Sequence, residues 1–195
     1  MRVLLHACCG PCASACVPRL REEGHEVTLF YSNANIATRE EFEKRLAGVR
    51  RLGEADEVAV VVDDYDHAAW RATVAAGREN APERGERCTA CFRYSLARTA
   101  AYAAAHGFDA FTSSLTVSPH KVSAQVFRAG EEAAWTARVA SCGGSAAPGP
   151  RFLPVDFKKK DGFLRSLART RELGLYRQSS CGCEFGGRAA AEGRA

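Results

Sequence analysis

The sequence lacks any apolar run that approaches the about 18 residues needed for a membrane span. The apolar residues within its first ten positions are also too few for a signal-peptide core, and cysteines follow them at once. We find no internal repeat and no sign of a second domain in 195 residues, a length that suits one domain with a real core. We therefore expect a cytoplasmic protein with no membrane partner.

A strong charge imbalance is also absent, because the net charge is only +4 and does not by itself indicate a nucleic-acid partner. Positive charge is concentrated only in the last third of the chain. Its basic residues, together with one aromatic residue, are Lys158, Lys159, Lys160, Arg165, Arg169, Arg171, Tyr176 and Arg177. Phe157 and Phe163 are interleaved with them, so phosphate contact with base stacking and an ordinary solvated charge run both remain open.

Cysteine is plentiful, with nine residues at positions 8, 9, 12, 16, 88, 91, 142, 181 and 183. In a reducing compartment, such a number indicates metal binding or redox chemistry rather than structural disulfides.

Strand and helix patterns alternate along the chain. Strands are predicted at residues 2–7, 26–32, 57–62, 109–115 and 151–155, and helices at about 13–23, 38–52, 66–70, 88–105, 122–140 and 161–172. Residues 142–150 read as a flexible connector and residues 186–195 as a disordered tail. Residues 1–185 should therefore form a single α/β domain that binds metal. Its parallel sheet should carry helices on both faces, with an irregular cysteine-bearing segment at its C-terminal end. Residues 8–12 and 113–121 should meet beyond the carboxyl ends of two strands, where such folds place their sites.

Two CxxC pairs, Cys9 with Cys12 and Cys88 with Cys91, are the strongest chemical signal, and Cys8 adds a sulfur to the first pair. The second pair opens a helix, where the helix dipole favours thiolates. Two thiolates about 4 Å apart repel by about 4 kcal/mol at an effective dielectric of 20, so converging sulfurs must bind metal, pair as disulfides or be protonated. Structural zinc and an iron–sulfur cluster both fit this spacing, and the additional cysteines favour redox chemistry.

Cys181 and Cys183 are separated by one glycine, so a disulfide between them would close a very small, strained and easily reduced ring. Two metal ligands or two inert thiols are the alternatives. Cys16 and Cys142 belong to no pair and read as buried or incidental thiols.

Several other polar residues have both a structural and a functional interpretation. His6 is either a core histidine or an acid, and Asp156 either orients a lysine, acts as an acid or forms a surface ion pair. Asp63, Asp64 and Asp66 follow the third strand, where helix capping accounts for at least one of them. Residues 113–116 could bind a ligand's hydroxyls or cap the next helix.

Five motifs together resemble the QueH-type epoxyqueuosine reductases. They are HACCGPC (6–12), RCTACFR (87–93), SLTVSPHK (114–121), DFKKKDG (156–162) and GLYRQSSCGC (174–183). Each motif alone is weak, but the five occur in the family's order and cover nearly the whole chain.

The resemblance implies a Rossmann-like domain of the HUP, or adenine nucleotide alpha hydrolase-like, type. It implies reduction of epoxyqueuosine to queuosine at the wobble position of tRNA, without cobalamin and with electrons from an unidentified donor. It implies a [4Fe–4S] cluster held by Cys8, Cys9, Cys88 and Cys91, with room for a second metal ion, iron, beside it.

The same resemblance makes Cys181 and Cys183 the redox-active pair or ligands of the second metal, to which Cys12 would also belong. His6 and Asp156 are the candidate acids. Two other classes remain open from the residues alone. One is a zinc-stabilised RNA-binding or adaptor module without catalysis, and the other is a metal-free thiol–disulfide oxidoreductase.

Overall fold

Five strands and six helices alternate in the computed structural model, which describes residues 1–141 and 149–186. The strands are β1 (Arg2–His6), β2 (Glu26–Tyr31), β3 (Val60–Val62), β4 (Ala110–Ser113) and β5 (Arg151–Phe152). The helices are α1 (Gly10–Glu22), α2 (Arg39–Ala55), α3 (His67–Trp70), α4 (Glu86–Ala105), α5 (Ser123–Ser141) and α6 (Gly162–Glu172). A π-helical turn, Arg71–Ala75, follows α3, and a 3-10 helix, Ser114–Val117, follows β4. The predictions for Cys142, for most of the connector and for nearly all of the tail fall on residues 142–148 and 187–195, outside the described residues.

The sheet has the order β3-β2-β1-β4-β5, and every neighbouring pair of strands is parallel. This confirms the predicted single α/β domain. β1 lies at the centre, and the chain leaves β1 and β4 towards opposite edges, so a crevice opens between their carboxyl ends. The register pairs His6 with Ser113 at that end, which brings the segments after both strands together.

Alternate residues of the central strands face two separate apolar clusters. Val3 and Leu5 pack on one face with residues of α1 and α2, whereas Leu4 and Phe111 pack on the other with residues of α4 and α5. Helices therefore cover both faces, as predicted. Within the described ranges, no helix combines the length and apolarity that crossing a bilayer would require.

Helix starts explain how the polar segments are placed. Thr38 caps α2 by accepting a hydrogen bond from the Glu41 amide, and Asp66 caps α3 through the Ala69 amide. The capping role expected among the three aspartates is thus confirmed for Asp66. Thr38 and Glu41 form only half of a capping box, because the Glu41 carboxylate binds Arg45 and Tyr176 instead.

Candidate active site

Three cysteines form a compact sulfur group at the carboxyl end of β1. The sulfurs of Cys8, Cys9 and Cys12 all lie within 4.8 Å of one another, and those of Cys8 and Cys9 are 3.9 Å apart. No other group of three or more histidine, cysteine or acidic ligand atoms is this compact among residues 1–141 and 149–186. The group is therefore the candidate metal site of the described structure.

The start of α1 creates this arrangement. Cys9 is the N-cap of the helix, and its sulfur accepts a hydrogen bond of 3.5 Å from the amide of Cys12. Gly10 allows α1 to approach α2 closely, since a Cβ at that position would lie 2.6 Å from the Gly48 carbonyl oxygen. The chain thus turns sharply between Cys9 and Cys12, and neighbouring sulfurs converge instead of pointing apart.

The pKa values of the three clustered thiols differ strongly from one another. Hydrogen bonds from Cys12 and Cys8 hold the pKa of Cys9 well below its usual value, and Gln178 Nε2 adds a donor 3.0 Å from the same sulfur. Bonding to Cys8 and Cys9, together with burial, raises the pKa of Cys12, while the pKa of Cys8 rises to about 12. One sulfur of the three thus carries the charge, as expected when thiolates this close repel.

A second group of cysteines surrounds Lys121. Lys121 Nζ lies 3.4 Å from Cys181 Sγ and interacts electrostatically with Cys88 and Cys91 as well. Cys183 packs with Cys91 in a small apolar cluster that includes Trp70. The structure therefore associates the second CxxC pair with the C-terminal CGC segment, and neither Cys88 nor Cys91 belongs to the compact group at β1. Residues 178–183 link the two groups, because Gln178 contacts Cys9 and Cys181 contacts Lys121.

Cys181 and Cys183 differ sharply although one residue separates them. A hydrogen bond from Cys183 and the charge of Lys121 outweigh burial and lower the pKa of Cys181 to about 5. The same interaction with Cys181, together with burial, raises the pKa of Cys183. All eight described cysteines are free, so no disulfide joins this pair in the structure. The result is one thiolate beside one thiol, which is the reactive form of a dithiol pair.

Burial corrects one expectation about the second CxxC pair. Cys91 is the sixth residue of α4, and desolvation raises its pKa to about 12 despite its place in a helix near the N-terminal end. The helix dipole stabilises a thiolate only within the first turn. The free-energy cost of removing a thiolate from water is larger than that stabilisation. Cys16 is fully buried in the main core, in agreement with its interpretation as a buried thiol.

His6 is buried at the end of β1 with both ring nitrogens occupied. Nδ1 lies 2.9 Å from Ser113 Oγ, and Nε2 lies 3.1 Å from the Ser32 carbonyl, so Nε2 donates and Nδ1 accepts. Burial lowers the pKa of His6, which favours the neutral ring. Ser113 also caps the 3-10 helix through the Leu115 amide, and Ser114 Oγ lies 3.3 Å from Cys8 Sγ. These contacts are structural, and the acid role of His6 stays a prediction.

The aspartates lie apart from the sulfurs. Asp63 accepts two hydrogen bonds from Arg98, at 2.5 and 2.6 Å, and one of 2.6 Å from Ser32. Burial alone would raise the pKa of Asp63, but these donors hold it below its usual value. Asp64 is exposed. Asp156 accepts from the Lys158 amide and lies 3.7 Å from Lys158 Nζ, which fits the lysine-orienting interpretation; its acid role stays a prediction.

The structure divides the predicted basic surface. Lys158 Nζ donates to the Lys121 carbonyl and to Ser123 Oγ, at 3.1 and 2.6 Å, so this lysine supports the loop that carries Lys121. The exposed residues of the predicted set include Lys159, Lys160, Arg165, Tyr176 and Arg177. Stacking by Phe157 is excluded because its side chain is 1% exposed, and Phe163 packs against the same core.

Three polar residues of the site were not singled out from the sequence. Lys121 and Gln178 lie inside motifs that resemble the family, and their position there was the available signal. Arg45 belongs to no motif, and its guanidinium contacts the backbone of Ser180 and Cys181 from α2. An arginine on an amphipathic helix reads as a surface charge, so no local pattern could have indicated this contact.

Comparison with known proteins agrees with the geometry. The family model for the epoxyqueuosine reductase QueH matches residues 3–189. A protein of that name from Streptococcus pyogenes serotype M1 is 32% identical over 189 residues, covering 94% of this chain and 69% of its own. Its counterparts from Acinetobacter baylyi and Dehalococcoides mccartyi are 33% and 31% identical, covering 94% of this chain in both cases and 79% and 91% of their own. The chain therefore belongs to the QueH epoxyqueuosine reductase family and is an oxidoreductase.

Proposed function

We propose that this protein reduces epoxyqueuosine to queuosine at the wobble position of tRNA, with a [4Fe–4S] cluster and the Cys181–Cys183 pair as its redox groups. The observation that supports the proposal is that one short segment contacts two different sulfur sites. Gln178 contacts the compact three-cysteine group at β1, and Cys181, three residues later, belongs to the thiolate–thiol pair beside Lys121.

The donor set at β1 suits a thiophilic metal. Three sulfurs offer no oxygen or imidazole ligand, and the low pKa of Cys9 makes one of them available as a thiolate without metal. The resemblance implies Cys8, Cys9, Cys88 and Cys91 as cluster ligands, whereas the compact group supports Cys12 beside Cys8 and Cys9. A bound [4Fe–4S] cluster would supply single-electron transfer from the external donor. A second metal ion, iron, would find further thiol ligands at Cys181 and Cys183.

Conversion of an epoxide to an alkene removes one oxygen atom as water and needs two electrons and two protons. A dithiol supplies both, because one epoxide and two thiols give one alkene, one water molecule and one disulfide. Cys181 and Cys183 match this requirement, since a strained disulfide across a single glycine is easily returned to the dithiol. The low pKa of Cys181 supports it as the nucleophilic partner, and Cys183 retains a proton.

Protonation of the leaving oxygen requires an acid near the CGC segment. Lys121 is a third candidate beside His6 and Asp156, because its ammonium lies next to Cys181 and the Cys181 thiolate raises its pKa to about 12 although burial opposes this. Its carbonyl is bound by Lys158, which keeps the loop in place. If His6 is the acid, it would donate its proton from the carboxyl end of β1. Both of its ring nitrogens already have hydrogen-bond partners there.

The tRNA would bind along the exposed cations of the C-terminal third. A surface cavity of about 400 Å³ between α1 and α6 is lined by four cations that suit a backbone phosphate and by two carboxylates: Arg19, Lys159, Lys160 and Arg165, with Glu22 and Glu23. Tyr176 is 43% exposed and is the aromatic residue of the predicted set that can stack on a base. The modified base must leave the anticodon stack to reach the crevice, and loop nucleotides are already splayed.

The proposal is tested by nucleoside analysis of tRNA from a strain that lacks this gene. Accumulated epoxyqueuosine, cleared when the wild-type gene is restored, is the expected result. Restoration with a Cys181→Ala variant should leave epoxyqueuosine in place, while the purified variant keeps the visible absorption of its cluster. A colourless, zinc-replete protein would instead indicate the zinc-stabilised RNA-binding module. Thiol–disulfide exchange on proteins without metal would indicate the oxidoreductase alternative.

A further inference from the structure

Three consecutive carbonyl groups of the CGC segment are bound by residues of or next to α2. Arg45 Nη2 donates to the Ser180 carbonyl at 3.3 Å and Arg45 Nη1 to the Cys181 carbonyl at 3.0 Å. The amide of Ala37 donates to the Gly182 carbonyl at 3.0 Å. A surface loop normally leaves such carbonyls to water, so this segment is held in one conformation along its length.

The guanidinium of Arg45, which makes two of these hydrogen bonds, is buried, and each of its three nitrogens donates to a partner. The Arg45 side chain is 4% exposed, and its Nε donates to Glu41 at 2.7 Å, one helical turn earlier. Glu41 in turn accepts from the hydroxyl of Tyr176 at 3.0 Å. The carboxylate fixes the plane of the guanidinium, and the planar fork then fits two carbonyls at once, which a lysine ammonium cannot do.

The path of the chain at Gly182 depends on the same side chain. Gly182 has a φ of +103°, and a Cβ there would lie 3.0 Å from Arg45 Nη2. With the carbonyls directed to α2, the sulfurs of the two flanking cysteines point away from it, towards Lys121 and towards the cluster that contains Cys91.

We propose that Arg45 is a positioning residue of the reductase, which holds Cys181 and Cys183 in the geometry needed for turnover without touching substrate. The inference rests on the proposed redox function of this pair. It predicts that loss of the arginine fork lowers the turnover number, while metal content and tRNA affinity stay the same.

The test compares Arg45→Met and Arg45→Lys with the wild-type holoenzyme. We expect kcat to fall at least tenfold in both variants, with KM for the tRNA within twofold and with unchanged iron content. Arg45→Lys separates positioning from charge, because it keeps the cation and loses the fork. Lys44→Met is the matched control, since Lys44 is the neighbouring cation on α2, is 53% exposed and forms an ion pair with exposed Glu40.

A second measurement monitors the redox state of Cys181 and Cys183 directly. The equilibrium between the Cys181–Cys183 dithiol and its disulfide is measured in glutathione buffers by alkylation and peptide mass spectrometry. One glutathione disulfide is reduced to two glutathione thiols for each protein disulfide formed. We expect the equilibrium constant to change at least tenfold in Arg45→Met and Arg45→Lys, because the two sulfurs are no longer held at a fixed separation. A purely structural arginine far from the pair would not change it.

The possible results distinguish failure of the positioning role from failure of the redox-pair proposal. Wild-type kcat in a folded Arg45→Lys variant would overturn the positioning role. If the wild-type protein forms no disulfide and Cys181→Ala turns over normally, the redox-pair proposal fails and the positioning role fails with it. If Cys181→Ala is inactive but the Arg45 variants keep wild-type kcat, the redox-pair proposal stands and only the positioning role is overturned. If Arg45→Met does not fold, Gly182→Ala displaces the fork from the opposite side, and wild-type kcat in that variant would likewise overturn the inference.

Discussion

The ammonium of Lys121 lies 3.4 Å from the sulfur of Cys181, although 60 positions separate the two residues in the chain. This contact joins the loop after β4 to the C-terminal CGC segment. It also gives the site a cation where a thiolate is needed, since Cys181 has a pKa of about 5, set first by Cys183 and then, against burial, by Lys121.

Removal of this cation should raise the pKa of Cys181. A neighbouring positive charge favours the anionic form, so Lys121→Met should move the midpoint of Cys181 alkylation against pH upwards by about 1 to 3 pH units. The measurement uses iodoacetamide on reduced, metal-depleted protein with peptide mass spectrometry. Lys159→Met removes an exposed cation at another position and should leave the midpoint unchanged. An unchanged midpoint in Lys121→Met would mean that Cys183 alone controls the thiolate.

Loss of the Gln178 amide should weaken metal retention at β1. Its Nε2 donates to Cys9 Sγ at 3.0 Å, and hydrogen bonds to metal ligands hold their orientation and tune their basicity. In Gln178→Leu we expect iron to be lost to a chelator about tenfold faster than in the wild-type protein, followed by the decay of visible absorption. Arg177→Ala, at the exposed neighbouring position, is the control. Equal rates in Gln178→Leu and wild type would remove this residue from the metal site.

Two single variants distinguish the two possible ligand sets. Cys88→Ala should abolish the cluster if Cys8, Cys9, Cys88 and Cys91 hold it, whereas Cys12→Ala should do so if the compact group is the binding site. Iron and sulfide analysis of anaerobically reconstituted protein measures this, with about four irons per chain expected in the wild type. Cys16→Ala, in the core, is the control for the loss of any thiol near α1. Loss of the cluster in both variants would mean that ligands from both groups are required.

The three consecutive lysines should behave differently from one another. Lys159→Ala combined with Lys160→Ala should raise the KM for tRNA and reduce the slope of log affinity against log salt concentration by about 1 for each phosphate that is no longer bound. Lys158→Ala should mainly lower kcat, because its ammonium binds the Lys121 carbonyl and Ser123. Steady-state kinetics at several salt concentrations separates the two effects. Unchanged KM in the double variant would place the tRNA elsewhere.

Much of the framework was predictable because it depends on local patterns. Short apolar strands alternating with amphipathic helices require a parallel sheet covered on both faces, and the observed order agrees. The ends of individual elements were predicted less well than their type. The third strand was predicted at residues 57–62, but β3 begins at Val60, because the chain first makes a turn with Glu57 at a φ of +51°. Stacking by Phe157, one of the two interpretations that the sequence left open, is excluded, because an aromatic residue beside a run of lysines can equally turn inward to the core.

The sequence by itself determined the fold class, the helix caps and the chemistry available, because the period of apolar residues and the nucleophilicity of thiols are properties of short segments. The convergence of Cys8, Cys9 and Cys12 is also local, because it follows from the turn into α1. Tertiary structure alone decided the partners of Cys181, which meets Lys121 and Arg45 across 60 and 136 positions. The angles at which helices pack on the sheet set these long-range contacts, and no spacing between neighbouring residues encodes them.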